Sequence, residues 1–357
     1  MKVDILITGT GSLAEELLLS LIKITPKNLS IHLLGRNPEK TQWLKLVVES
    51  QSALIGIPIN ISYSIIEHWE QSEIASVLAN INPELILHTA SIQSAWMLNQ
   101  ENNWNKLVKK HGYGLTTILQ CHLLLMLSSA SASLGRTTPI INASYPDVTN
   151  YILHHLGFPV VAGIGNISII DALLKSSKII EQNEDLLFYA HHYHISQLIL
   201  GNQNDLPQIK YQGTPKHFFD FFNAHFRLPG NDSLNKLTGT VSAVQILSYL
   251  GILPPYIGHL PGVHGLLGGY PVTISHKKIE IRQALQHESN ISAHEWFKEL
   301  TALEGIRINT DSVCFSKDVI DDFKNLSVTI PSRIKFSDFS QQSQIFLNIK
   351  EMLSSED

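Results

Sequence analysis

Cysteine is nearly absent from this 357-residue chain: only Cys121 and Cys314 occur, far apart and without Cys-x-x-Cys spacing. That argues against a disulfide framework or a cysteine-built zinc site and points to a reducing, cytoplasmic setting. Charge is sparse as well, at 16% of residues, with 26 Lys and Arg against 31 Asp and Glu giving −5. A mildly acidic chain without a clustered basic face is not a general nucleic-acid binder. Long apolar runs are also missing. The first one, 3–7, has strand length and is too short for a signal segment. The greasiest one, 118–127, carries Gln120 and His122 and predicts a buried helix, not a membrane span. What is present is 44% hydrophobic, enough for a sizeable core, in a chain long enough for two domains.

Strand and helix signals alternate over the first half. Residues 3–8, 30–34, 59–66, 85–89 and 139–143 read as strands; 13–24, 39–50, 74–78 and about 112–131 read as helices. Such alternation predicts an α/β fold with a doubly wound parallel sheet. After Pro146 the texture changes, so residues 1–147 are assigned to the sheet domain and 148–357 to a C-terminal α+β domain. There, helices are expected at 167–180, 233–250 and 337–357, a strand at 186–189 running into His191-His192-Tyr193-His194, and a Gly/Pro-dense loop at 251–271.

Gly9-Thr10-Gly11-Ser12-Leu13-Ala14 stands between the first strand and the first helix. The first glycine permits the tight turn, the second lets the backbone approach a pyrophosphate, and the small Ala14 allows close helix–strand packing. The free amides and dipole of the helix start then face the phosphate. In this context the motif predicts a Rossmann dinucleotide site held by Gly9, Gly11, Ser12, Leu13 and Ala14, the alternative being a structural glycine turn. The second strand ends Leu33-Leu34-Gly35-Arg36-Asn37, without the acid that usually binds the ribose diol of NAD. Arg36, with Asn37 beside it, stands where a 2′-phosphate would lie, so NADP is expected ahead of NAD. A solvated loop arginine is the plainer reading.

Further motifs follow in order. They are Leu87-His88-Thr89-Ala90-Ser91, Ile141-Asn142-Ala143-Ser144-Tyr145-Pro146-Asp147, Gly163-Ile164-Gly165 leading to Asp171, a strand ending at His191-His192, Thr238-Gly239-Thr240-Val241-Ser242, and Gly269-Tyr270-Pro271-Val272. In these the chain resembles the lactate/malate dehydrogenase superfamily over about residues 3–285. The resemblance implies cofactor contacts at Thr89, Ala90, Ser91, Asn142 and Ser144. It implies a proton-transferring pair of Asp171 with His191, His192 being one place off. It also implies a substrate pocket shaped by Gln93, Trp96, Met97, Thr240 and Ser242.

The family clamps a substrate carboxylate with arginines, and here the pattern departs. Leu174 stands three residues after Asp171, and no arginine occurs between Arg36 and Arg136 or from there to Arg227. A buried unpaired carboxylate costs several kcal/mol, so a small 2-hydroxy acid is not expected. Lys175 is a lesser candidate for a replacement clamp. The resulting expectation is an NADP-dependent reductase or dehydrogenase acting on a carbonyl or imine, in a specialised biosynthetic step, as a homo-oligomer without membrane or nucleic-acid partners. A non-catalytic dinucleotide sensor is the alternative. So is a metal-assisted enzyme in which His192 and His194, sharing a strand face, are ligands; metal is not expected. The aromatic group Phe218, Phe219, Phe221, Phe222 and Phe226 reads as core or subunit interface.

Overall fold

The first strand, β1 (Lys2–Thr8), is apolar on both faces and buried from Ile5 onward, as a strand covered by helices on both sides must be. In the computed structural model, which describes residues 2–94, 97–98, 100–176, 187–201, 210–211, 228–282 and 293–355, it lies near the centre of a parallel six-stranded sheet. The sheet is completed by β2 (Leu29–Gly35), β3 (Ile59–Ile65), β4 (Asn82–His88), β5 (Ile140–Asn142) and β6 (Val160–Gly163), in the order β3-β2-β1-β4-β5-β6. The strand order reverses between β1 and β4. In open α/β sheets the crevice at the carboxyl ends of such a pair is where ligands bind.

Helices cover both faces. Helix α1 (Ser12–Ile24) buries Ala14, Leu17, Leu18, Leu21 and Ile22 at helical spacing. α2 (Pro38–Ile55) is capped by Asn37, whose side chain accepts from the Lys40 amide. α3 (Gln71–Asn80) and α4 (Asn103–His111) precede a 3-10 turn (Tyr113–Thr116) that runs into α5 (Thr117–Ser133). The stretch Tyr113–Ser133 is long and apolar enough to cross a membrane by length and composition alone, and 83% of its most apolar window is buried in the protein. α6 (Pro146–His155) leads into β6, α7 (Asn166–Ser176) follows, and α8 (His192–Leu200) comes after the short strand β7 (Phe188–Tyr189). β7 pairs with β8 (Lys210–Tyr211).

The chain returns in α9 (Leu234–Tyr249), which lies against α1. A Cβ on Gly239 would meet the Glu16 backbone at 2.7 Å, so the glycine is what allows this approach. Then come an antiparallel sheet of β9 (Tyr256–Pro261), β10 (Gly269–Ser275) and β11 (Lys278–Ile281), helix α10 (Ala293–Leu303), strands β12 (Ile306–Ile308) and β13 (Ser312–Phe315), helix α11 (Lys317–Asn325), strand β14 (Arg333–Lys335) and terminal helix α12 (Phe339–Ser355).

Three expectations are corrected. The sheet takes its sixth strand from β6, beyond residue 147. The stretch 251–271 is not a plain loop, because it contains β9 and the start of β10, in which Tyr270 and Val272 are buried. The helix at 112–131 begins with a 3-10 turn. The expected ends at 177–180 and 186, Trp96, and the phenylalanine group 218–226 lie outside the described residues.

Candidate functional site

A cavity of about 530 Å³ opens at the carboxyl end of the sheet, above the β1/β4 reversal. Its first wall is the glycine turn. Gly9 has φ +101°, and a Cβ there would stand 2.8 Å from the Ala90 amide nitrogen, so only glycine lets the β1 and β4 loops meet. Gly11 caps α1 without any side-chain hydrogen bond, and a Cβ on it would project into open space. The first amides of α1 are therefore left for a ligand, with no side chain between. That geometry fits a dinucleotide pyrophosphate.

Gly9, Gly11, Ser12, Leu13, Arg36, Asn37, Thr89, Ala90, Ser91, Met97 and Ser144 all line this cavity. Lys40, from the first turn of α2, lines it beside Arg36, and no Asp or Glu does so among the described residues. Ala14 does not reach the cavity; it is fully buried under the turn. Asn142 does not reach it either. Its amide donates to the Ser144 carbonyl, Thr149 Oγ1 and Asn150 Oδ1, its Oδ1 accepts from the Ser144 amide, and the residue is buried.

The substrate residues divide as well. Gln93 is buried with its side chain turned away, Oε1 accepting from Trp104 Nε1 and Nε2 donating to the Ser94 carbonyl. Its main-chain carbonyl accepts from the cavity-lining Gln120 and Tyr113. Thr240 and Ser242 do not line the cavity. Thr240 is exposed, donating to the Lys236 carbonyl near Ser20, and Ser242 is buried. The face of α9 that reaches the cavity carries Asn235 and Thr238 instead.

The expected Asp171–His191 pair is not formed. Asp171, buried on α7, accepts from His259 Nδ1 at 2.9 Å, Lys175 Nζ at 2.8 Å and Tyr256 OH at 3.1 Å. His259 lies on β9, and its Nε2 accepts the Phe188 amide at 3.1 Å while the Phe188 ring stacks on it with centroids 3.8 Å apart. Lys175 also donates to the Ile257 carbonyl, so it is no clamp for a ligand. His191 caps α8. Its Nδ1 accepts the Tyr193 amide and its Nε2 donates to Thr301 Oγ1, whose own proton goes to the Phe297 carbonyl. Neither ring nitrogen of His191 is left for proton transfer.

His192 is the histidine that meets the cavity. It opens α8, so it shares no strand face with His194, whose Nδ1 instead accepts the His191 amide. The His192 amide donates to Asp147 Oδ1 at 3.1 Å. Its Nδ1 donates to Glu304 Oε1 at 2.6 Å, and its ring stacks on Tyr113 with centroids 4.8 Å apart. Glu304 also accepts from Tyr145 OH at 2.5 Å. Tyr145 sits in the left-handed region (φ 49°) at the start of α6.

Burial alone would pull the His192 pKa down. The charge and hydrogen bond of Glu304, with Asp147 adding, outweigh it and hold the ring above its ordinary 6.5. Burial likewise pushes Glu304 up, and the neighbouring histidines and the Tyr145 hydroxyl bring it below its ordinary 4.5. The pairing fixes His192 with Nδ1–H toward the acid and leaves Nε2 for a ligand, the arrangement of a general acid–base. Sequence reasoning missed Glu304, which lies far along the chain in an α10–β12 turn without a motif.

Among the described residues no group of three or more His, Cys, Asp or Glu stands close enough to hold a metal ion. No protein-family model matches the chain. No curated protein matches it in sequence. Solved structures do match in three dimensions. A 6-phospho-beta-glucosidase from Thermotoga maritima, solved with manganese, NAD+ and glucose-6-phosphate, is 12% identical over 99% of each chain with a TM-score of 0.54. The malate dehydrogenase from Aeropyrum pernix is 14% identical over 84% of this chain and 97% of that one, with a TM-score of 0.52. The architecture is thus a Rossmann-type sheet joined to an α+β region around one crevice. More particularly, the chain is similar to both of these structures over most of its length, and the likeness is one of fold.

Proposed function

We propose that this chain is an oxidoreductase dependent on a nicotinamide dinucleotide, with NADP preferred. The observation that carries the reading is one cavity lined both by the Gly9–Leu13 turn and by His192. A dinucleotide bound there supplies or accepts a hydride at its nicotinamide. The glycine turn holds the pyrophosphate on the α1 amides. Arg36 and Lys40 meet a 2′-phosphate at the far end, where the absence of a lining carboxylate favours the doubly charged group. His192 Nε2 gives its proton to a carbonyl or imine being reduced, or takes one from the matching alcohol or amine. Glu304 holds the ring's tautomer and stabilises its charged form. No arginine lines the substrate end among the described residues, so the substrate is one not held by a carboxylate clamp, in keeping with a specialised biosynthetic step. Titrating the protein with NADPH and NADH, read by nicotinamide fluorescence, tests this. NADPH is expected to bind more tightly, and Arg36→Ala to weaken it about tenfold, the worth of one charge-assisted hydrogen bond, while NADH changes little. Tighter NADH binding overturns the NADP preference, and no binding of either overturns the reading.

A further inference from the structure

The substrate end of the cavity is organised around Gln120 of α5, a buried side chain that the reaction does not need. Its Nε2 donates to the Gln93 main-chain carbonyl at 2.5 Å and to Tyr113 OH at 2.7 Å. A carbonyl oxygen only accepts, so the amide end of Gln120 must face it, and Oε1 must face the other way. There Oε1 meets Ser144 Oγ at 2.5 Å and Ser91 Oγ at 2.8 Å. Oε1 is also an obligate acceptor. Ser144 therefore donates its only hydroxyl proton to Gln120, and Ser91 gives its own either to Gln120 or to the Gln93 carbonyl at 2.9 Å.

The same holds for four further lining hydroxyls. Thr89 donates to the Thr8 carbonyl, Tyr113 to Gln93, Tyr145 to Glu304 and Thr238 to the Leu234 carbonyl. These six cavity-lining hydroxyls spend their protons inside the protein and offer a ligand lone pairs only. Ser144 Oγ, like Thr89 Oγ1, Tyr145 OH and Thr238 Oγ1, accepts no hydrogen bond among the described residues, and Ser144 is buried beside Gln120.

We infer that this wall selects a substrate bearing hydrogen-bond donors, hydroxyl or amino groups, and rejects one bearing a carboxylate or phosphate beside the reacting carbon. Two lone-pair oxygens facing an anion repel it; among the described residues the lysine and arginine lining the cavity, Lys40 and Arg36, belong to the 2′-phosphate end, and the charge of His192 is already paired with Glu304. Gln120 is then a specificity-setting residue that acts through the serines. The inference rests on the oxidoreductase reading for its location in the reaction, but not for its physics.

The test uses the full chain and three ligands on one carbon skeleton: sorbitol, 1-amino-1-deoxysorbitol and gluconate, which end in a hydroxymethyl, an aminomethyl and a carboxylate. Calorimetric titration with and without saturating NADPH reads their affinities. Sorbitol, the amine or both are expected to bind at least tenfold more tightly than gluconate. The hydroxyl and amine arms show which donor is preferred. Ser144→Ala is expected to shrink that ratio by removing the acceptor. Gln120→Met, which releases the serine protons, is expected to raise gluconate affinity toward that of sorbitol. Gluconate binding as tightly as the other two in the unaltered protein overturns the inference, and so does absence of binding by all three. If NADPH fails to bind while the order of the three ligands holds without it, the wall stands and the oxidoreductase reading falls.

Discussion

Asp171 and Glu304 are both buried acids that receive a hydrogen bond from the Nδ1 of a buried histidine, at 2.9 Å from His259 and 2.6 Å from His192. The surroundings separate the two pairs. Around Asp171 every valence is used: Lys175 and Tyr256 share the carboxylate, and the far nitrogen of His259 is tied to the Phe188 amide under a stacked ring. Burial, its largest influence, holds His259 below its ordinary pKa although Asp171 opposes it. Around Glu304 no lysine competes for the charge among the described residues, and His192 is raised. The first pair is a weld between α7, β7 and β9. The second is a dyad with one nitrogen open to the cavity. An acid–histidine contact becomes chemistry only where the ring's second nitrogen has been left for something else.

The sharpest way to break this contrast is to remove the open nitrogen. His192→Asn keeps an N–H donor within reach of Glu304 but cannot pass a proton. Turnover, read as NADPH consumption once a substrate is in hand, is expected to fall about 10²–10⁴-fold, the usual range for a general acid–base. NADPH affinity should stay within a factor of a few. A variant that retains turnover removes His192 from the dyad role. The matching change in the other pair, His259→Ala, exposes its structural nature. It strips the stacked ring and one partner of a buried charge, so a loss of about 3 kcal/mol is expected in urea unfolding. Activity per folded molecule should persist. Loss of activity without loss of stability would move the chemistry back to Asp171.

Glu304→Gln has a smaller expected effect and separates the acid's charge from its shape. Without the carboxylate only Asp147 is left to oppose burial, and the His192 pKa is expected to fall. Less of the ring is then protonated at neutral pH. Reduction should slow about tenfold for each pH unit by which the ring's pKa drops, and the alkaline limb of its pH profile should move toward acid. A structural role alone would leave that limb in place.

Sequence patterns carried the sheet and pointed to the turn and the arginine that line one end of the cavity. The strand periodicity of residues 3–8, the Gly9–Ala14 turn and Arg36 are local signals, and local signals suffice where neighbours in sequence are neighbours in space. The cavity histidine was legible only to the level of the His191-His192 pair. Their choice depends on where α8 begins, and a one-residue shift of a helix start exchanges a capping ring for a cavity ring. Asp171 attracted the assignment because it sits where the resembling motif has its acid, but its partner is decided by β9, some 88 residues on. Gln93 misled in another way. It lines the cavity, but its side chain is tied to Trp104 and Ser94, which no residue-type argument can foresee. On α9 the period was right and the phase was wrong, so Thr238 faces the cavity and Thr240 faces water.

The two pairs should also answer pH with opposite sign, which is the gentlest test of their difference. His192 has a folded pKa above 6.5, so its contribution to stability is fully present below that value and is lost as pH rises through the folded pKa. His259 has a folded pKa below 6.5, so the unfolded chain binds the proton first and stability falls as pH drops from 6.5 toward the folded value. Urea unfolding between about pH 5 and pH 8, where histidine changes charge, should show both slopes superimposed. In His192→Asn the fall in stability on the alkaline side should flatten while the acid-side fall remains. In His259→Ala the acid-side fall should be reduced instead, on a lower baseline, with the buried His32, His88, His122 and His191 still contributing to it. Were both variants to flatten the same limb, the pairs would be electrostatically alike, and the open nitrogen of His192 would have to be explained by access alone.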